Sequence, residues 1–384
     1  MEIEGRLYAD RAAVSILIKH GLIKKITRIN AFKNRQFKEF IIAPGFIDNQ
    51  INGYLSYDFS RNDLTVDKIE RITKKLWEQG VTTYLPTLIS ESRERLTENF
   101  RILAQARKNP DIKQSIPGFH LEGPYLSPLD GYRGAHNVKY VRKPDWREFM
   151  EWYEASEENI IEVSLAPEIE GALEFISKLR QKGIVVALAH HNADAEVVKK
   201  AVDAGARIST HLGNACANRI SRHYNPIWPQ LADDRLMASI IVDGLHLTPE
   251  EVRVFYKVKG PFNTILVSDL SSLAGMPPGE YERFGQKVVV QPNGMISLPS
   301  QNVLAAASFM ISKGIENMLR FTGCTLAQAV NLASRNPARL LGLADRGEIK
   351  KGLRADLVLF EMSNHQIEIQ KTIVGGRVVF DKSE

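Results

Sequence analysis

The chain has 384 residues, 44% of them hydrophobic, enough to bury a core larger than that of one small domain. Its 50 basic against 45 acidic residues leave a net charge of only +5, which makes no case for a nucleic-acid partner but allows a basic pocket for a small anion. The two cysteines, Cys216 and Cys324, form no CxxC motif, so neither a disulfide framework nor a zinc–thiolate site is indicated and a reducing cytoplasm is the expected location.

Along the chain, Glu2, Glu4, Arg6, Asp10 and Arg11 interrupt any signal-peptide core, and no apolar run reaches the ~20 residues that span a bilayer. A soluble protein with no membrane partner is expected. The first strand-like runs, 12–18, 22–29 and 40–42, have no helix between them and read as a small antiparallel sheet. From Pro44 the rhythm changes. Apolar runs at 45–53, 81–88, 116–122, 161–166, 184–190, 206–211, 237–243 and 264–269 alternate with helical patterns such as 66–79, 91–107, 170–182, 194–204 and 249–259. Eight such strands predict a closed parallel (β/α)8 barrel. A piece at 286–298 with a Pro292-Asn293-Gly294 turn interrupts before a helix expected over 302–320, and strands return at 357–360 and 371–379. The simplest arrangement is a small β-sandwich domain of residues 1–43 and 346–384, with a catalytic barrel of residues 44–345 inserted between its halves.

Ionisable residues end four of the barrel strands. Glu122, His190, His211 and Asp269 would close strands 3, 5, 6 and 8, at the C-terminal face where barrel active sites lie. Glu122, His190 and His211 suit one zinc or ferrous ion with a position left open for water, and Asp269 suits a general base that returns the proton to the leaving group. The plain alternative for Asp269 is an N-cap for 271–274.

These residues and their neighbours resemble the N-acetylglucosamine-6-phosphate deacetylase family of the amidohydrolase superfamily. The resemblance is carried by Pro44-Gly45-Phe46-Ile47-Asp48-Asn49-Gln50-Ile51-Asn52-Gly53, His120 to Pro124, Gly134-Ala135-His136-Asn137, His190-His191-Asn192-Ala193, Thr210 to Ala215, Asp243-Gly244-Leu245-His246 and Val267-Ser268-Asp269. It continues through 333–342 and 352–358 and so spans nearly the whole chain. It implies the amidohydrolase barrel and hydrolysis of the acetamide of a phosphorylated amino sugar. It also implies one divalent ion per subunit (Zn or Fe), His136 near the acetamide carbonyl, and His246 with the Asn214-Ala215 backbone at the phosphate. Arg222 occupies the position of an arginine that reaches a neighbouring subunit's phosphate, which implies a homodimer with sites near its interface. Beside it, His223 is a further candidate phosphate contact. Where many superfamily members carry His-x-His for a second metal, this chain has Gln50-Ile51-Asn52, whose amides favour one metal and leave these residues as substrate or supporting contacts.

The chain departs from the family pattern in its walls. Gly213 and Cys216 replace an aromatic residue and a methionine, Leu304-Ala305-Ala306-Ala307-Ser308 replaces a Gly/Ser-containing stretch, and Asn225-Pro226-Ile227-Trp228-Pro229 stands where Arg-Glu-Pro-Gly is usual. Deacylation of a different N-acyl amino sugar or N-acyl amino acid is therefore a second reading, and a non-catalytic sugar-phosphate sensor a distant third. His191 reads as packing by the two-residue strand period, His120 as a core or supporting residue, and Cys216 as a packed thiol. Tyr125, Tyr132 and Trp228 are candidate sugar-stacking surfaces.

Overall fold

The computed structural model of the chain describes residues 1–33, 40–283, 286–299 and 303–383. It begins with β1 (Glu2–Leu7), β2 (Ala13–Lys19), β3 (Leu22–Arg28) and β4 (Ile41–Pro44). The barrel strands follow: β5 (Phe46–Ile51), β6 (Val81–Ile89), β7 (Phe119–Glu122), β8 (Ile160–Leu165), β9 (Val185–Leu188), β10 (Ile208–Ser209), β11 (Met237–Ile240) and β12 (Thr264–Leu266). They form one eight-stranded sheet in chain order, and a parallel bridge between Ile51 and Leu270 joins its two ends just above β12. This is the expected (β/α)8 barrel.

Helices surround it for the usual amphipathic reason. In Val66–Trp77, for example, Ile69, Ile72, Thr73, Leu76 and Trp77 are buried at helical spacing, and Thr65 caps the first turn by accepting from Lys68 N–H. The helix Trp146–Ala155 buries Phe149 and Trp152 in the same way, although the sequence patterns above did not single it out.

After the barrel come β13 (Gly279–Arg283), β14 (Gln286–Val290), β15 (Ile296–Leu298) and β16 (Val303–Ala306), an antiparallel sheet that stands as a wall over the barrel mouth. The helix expected over 302–320 is corrected here: residue 302 lies outside the described residues, 303–306 is a strand, and the helix runs Ile311–Thr322. An alanine-rich run favours helix locally. Pairing overrides it, because β16 lies against β15 and Ala307 bridges to Leu270.

The chain ends with β17 (Leu357–Ser363), β18 (Gln366–Val374) and β19 (Arg377–Asp381). These join the N-terminal strands in one seven-stranded sheet, ordered β19-β18-β17-β4-β1-β2-β3. It closes over its own core, in which Ile16, Ile18 and Ile23 pack with Leu357, Leu359 and Ile373. The two chain ends thus form the small β-domain expected from the sequence. Among the described residues no helix is long and apolar enough to cross a membrane.

Candidate active site

The C-terminal ends of the barrel strands and the wall enclose a cavity of about 800 Å³. Glu122, the last residue of β7, points into it, and His190, His211 and Asp269 follow β9, β10 and β12 by two or three residues. These last three have positive φ, at 49°, 32° and 51°, a left-handed backbone that non-glycine residues rarely adopt and that clusters at functional sites.

The side chains converge on one carboxylate oxygen. Glu122 Oε1 lies 3.2 Å from His190 Nε2, 3.1 Å from His211 Nε2 and 2.9 Å from Gln50 Nε2, which donates to it. On its far side, His190 Nδ1 is 3.1 Å from the Tyr132 carbonyl. A carbonyl only accepts, so Nδ1 carries a proton, and Nε2 is the nitrogen turned toward the carboxylate. Nε2 and Oε1 at that distance need a proton or a cation between them, and a divalent metal is a cation that meets this need. The carboxylate and imidazole donor set suits zinc or iron. Among the described residues, the ligand-type atoms that lie within 4.8 Å of one another are those of Glu122, His136 and His190, so on mutual distance His136, and not His211, groups with Glu122 and His190, while His211 meets Glu122 alone of the three at hydrogen-bond distance.

Burial by itself would raise the Glu122 carboxyl, but the bonds from His190 and His211 hold it well below the usual carboxylate range. Asp269 is pushed up, chiefly by burial, with His211 acting against that shift and the Glu122 charge adding to it. Two amides steady it: Asn52 Nδ2 donates to Oδ1 at 2.7 Å and Gln50 Nε2 at 3.1 Å. Gln50 therefore links the metal-type carboxylate to the proposed base.

Asn214, Ala215 and His246 line the same cavity. His246 is oriented by Asp243, whose Oδ2 lies 2.7 Å from Nδ1, and Gly213 has φ +87° in a place where an added Cβ would come within 2.8 Å of Leu247. Arg222 and His223 are elsewhere. Both are exposed on the segment beyond the cavity, with Arg222 Nε donating to His223 Nε2 at 3.2 Å. His120 is buried beneath the site, its Nε2 2.6 Å from Ser164 Oγ, and His191 faces away into packing.

The wall contributes Val288, Met295, Leu298, Leu304, Ala305 and Arg283 to the lining. Arg283 was not foreseen. It reaches in from the first strand of the wall, with Nη2 3.6 Å from the buried Asp58 and Nη1 3.4 Å from the Ala305 carbonyl. The turn at 292–294 marks the β14–β15 hairpin, whereas Arg283 lies on β13, which pairs with the other edge of β14 through Arg283–Gln286, so that turn alone did not locate it.

Residues 41–379 match the model of the amidohydrolase family. The chain belongs to this family. Within it, the chain is 31% identical over 348 residues to the N-acetylglucosamine-6-phosphate deacetylase of Bacillus subtilis (strain 168), covering 90% of this chain and 86% of that one. It is 29% identical to the N-acetylgalactosamine-6-phosphate deacetylase of Escherichia coli O157:H7, covering 92% of both. A Mycobacterium smegmatis N-acetylglucosamine-6-phosphate deacetylase variant solved with N-acetylglucosamine-6-phosphate superposes with a TM-score of 0.86 at 28% identity, covering 96% of this chain and 94% of that one.

Proposed function

We propose that this amidohydrolase hydrolyses the acetamide of N-acetylglucosamine-6-phosphate to glucosamine-6-phosphate and acetate. The observation that carries the reading is the convergence of Glu122, His190 and His211 beside Asp269, in a chain that matches deacetylases of this substrate over nine-tenths of its length. Glu122, His190 and His211 are the metal ligands in this reading. When bound there, the ion supplies Lewis acidity that lowers the pKa of water toward ~7. We infer one ion per chain, zinc or iron, because Gln50 and Asn52 place amides where a second ion would need stronger donors.

The remaining steps belong to the chain. Asp269, fixed by Asn52 and Gln50, takes the proton from the attacking water and delivers it to the departing amine nitrogen. His136 holds the acyl carbonyl oxygen as charge develops on it. The Asn214 and Ala215 N–H groups and His246 hold the phosphate. Arg222 completes the phosphate site from a neighbouring subunit, which the exposed Ile220, Tyr224 and Trp228 on the same segment support as a surface buried between copies.

The Escherichia coli relative and the replaced wall at Ala305 to Ala307 favour a second reading, in which the galacto epimer is the substrate. Acetate release from the two N-acetylhexosamine 6-phosphates and from their unphosphorylated forms tests this. A clear preference for the phosphorylated gluco sugar supports the first reading. Preference for the galacto epimer selects the second, and equal rates with and without phosphate contradict both.

A further inference from the structure

The loop after β7 presents His136 to the cavity and is braced by Arg133, which donates from Nε to the His136 carbonyl at 3.0 Å, from Nη1 to the Pro128 carbonyl at 2.7 Å and from Nη2 to Asp130 at 2.6 Å. The His136 ring is buried and stands edge-on to His190, with centroids 4.4 Å apart. On distance alone it belongs with the metal-type donors. Its hydrogen bonds say otherwise.

His136 Nδ1 faces two atoms of Ser90, the backbone nitrogen at 3.4 Å and the hydroxyl at 2.9 Å. A backbone N–H can only donate, so Nδ1 presents a lone pair to it, and the hydroxyl satisfies the same atom by donating too. An imidazole with a bare Nδ1 carries its proton on Nε2. His190 is set the opposite way, because its Nδ1 faces an acceptor, the Tyr132 carbonyl. A metal ligand needs a bare nitrogen, whereas a carbonyl oxygen gaining negative charge needs an N–H.

We infer that Ser90, just past the end of β6, is a positioning residue that locks His136 in the Nε2–H form, making it a hydrogen-bond donor to the reacting carbonyl and keeping it out of the metal's ligand set. Neighbouring imidazoles thus receive different tasks from one backbone donor and one backbone acceptor. The tautomer stands on the geometry; only the identity of the group receiving the Nε2 proton rests on the deacetylase reading.

The test is long-range proton–nitrogen NMR of the zinc-loaded protein with 15N-labelled histidine, read together with kinetics. His136 is expected to show a protonated Nε2 and a bare Nδ1, and His190 the reverse. Ser90→Asp replaces the donor hydroxyl with an acceptor and should move the proton to Nδ1, lowering kcat by ~100-fold with KM and bound zinc little changed. Ser90→Ala keeps the backbone N–H and should keep the tautomer at a loss of ~3- to 10-fold. His136→Gln, whose amide nitrogen can stand in for Nε2–H, should retain more activity than His136→Asn. A proton on Nδ1 of His136 in the native protein, or unchanged spectra and kcat in Ser90→Asp, overturns the inference. If Ser90→Asp does not fold, the native spectrum and the His136 pair still decide. Absence of acetate release by the native protein would instead strike the proposed function and leave the tautomer to the spectrum.

Discussion

Asp269 receives two amide hydrogen bonds at one oxygen, from Asn52 and Gln50, while burial raises its affinity for a proton. Such a group is fixed in place and basic enough to accept a proton from water. Asp269→Asn keeps the shape and removes the basic oxygen, so metal content should hold while kcat falls by at least ~10²-fold; a variant with most of its turnover would assign the proton transfers to another group. Glu122, His190, His211 and Asp269 were legible in the sequence because each closes an apolar run whose barrel position fixes where the side chain points. Ser90 and Arg283 were not. Ser90 acts through a histidine 46 residues away in the sequence, and Arg283 in a polar stretch reads as a solvated charge until the hairpin partner is known.

Among the elements, β8 carries the least obvious cost of the site. Its Glu162 is fully buried, bonded through both oxygens by Asn49 Nδ2 at 3.0 Å, and pushed up to about 8, chiefly by burial. A carboxyl raised in the folded state stabilises the protein below its unfolded value near 4.5, and that stability is lost as pH rises toward 8. Glu162→Gln lacks this dependence. Its stability relative to the native protein should therefore climb between pH 5 and 8 by more than ~1.4 kcal/mol, the equivalent of one pKa unit, in denaturant unfolding at several pH values. A constant difference would mean that Glu162 is ionised in the fold. The wall shows where element-level reading fails. Leu304 to Ala307 has helical propensity, and the long-range Leu270–Ala307 bridge together with the local β15–β16 pairing makes it extended.

For the whole molecule, the barrel was readable from eight alternations of strand and helix, and the small domain from strand-like runs at both ends. β1 was missed because Gly5 leaves only Ile3 and Leu7 as apolar side chains between Glu2, Glu4 and Arg6, too few to mark an alternating strand, although Ile3 and Glu4 are buried once β2 and β4 flank it. That copies of the chain associate is a proposal resting on the resemblance alone. In the structure, Tyr224 is 87% exposed and Trp228 52%, on the segment that holds Arg222 outside its own cavity. If that segment serves a neighbour, inactive Asp269→Asn subunits mixed with Arg222→Ala subunits should regain part of the activity, since one site of each mixed dimer keeps both residues. No recovery after verified subunit exchange would remove Arg222 from the neighbour's site. The claim on which all of this depends is that a metal held by Glu122, His190 and His211 is needed to deacetylate the sugar phosphate. The most direct measurement is acetate release from N-acetylglucosamine-6-phosphate by protein stripped with a chelator and titrated with zinc or ferrous ion. Activity should vanish on stripping and return linearly to a plateau at one equivalent per chain; release that survives chelation, or a plateau at two equivalents, would contradict the account.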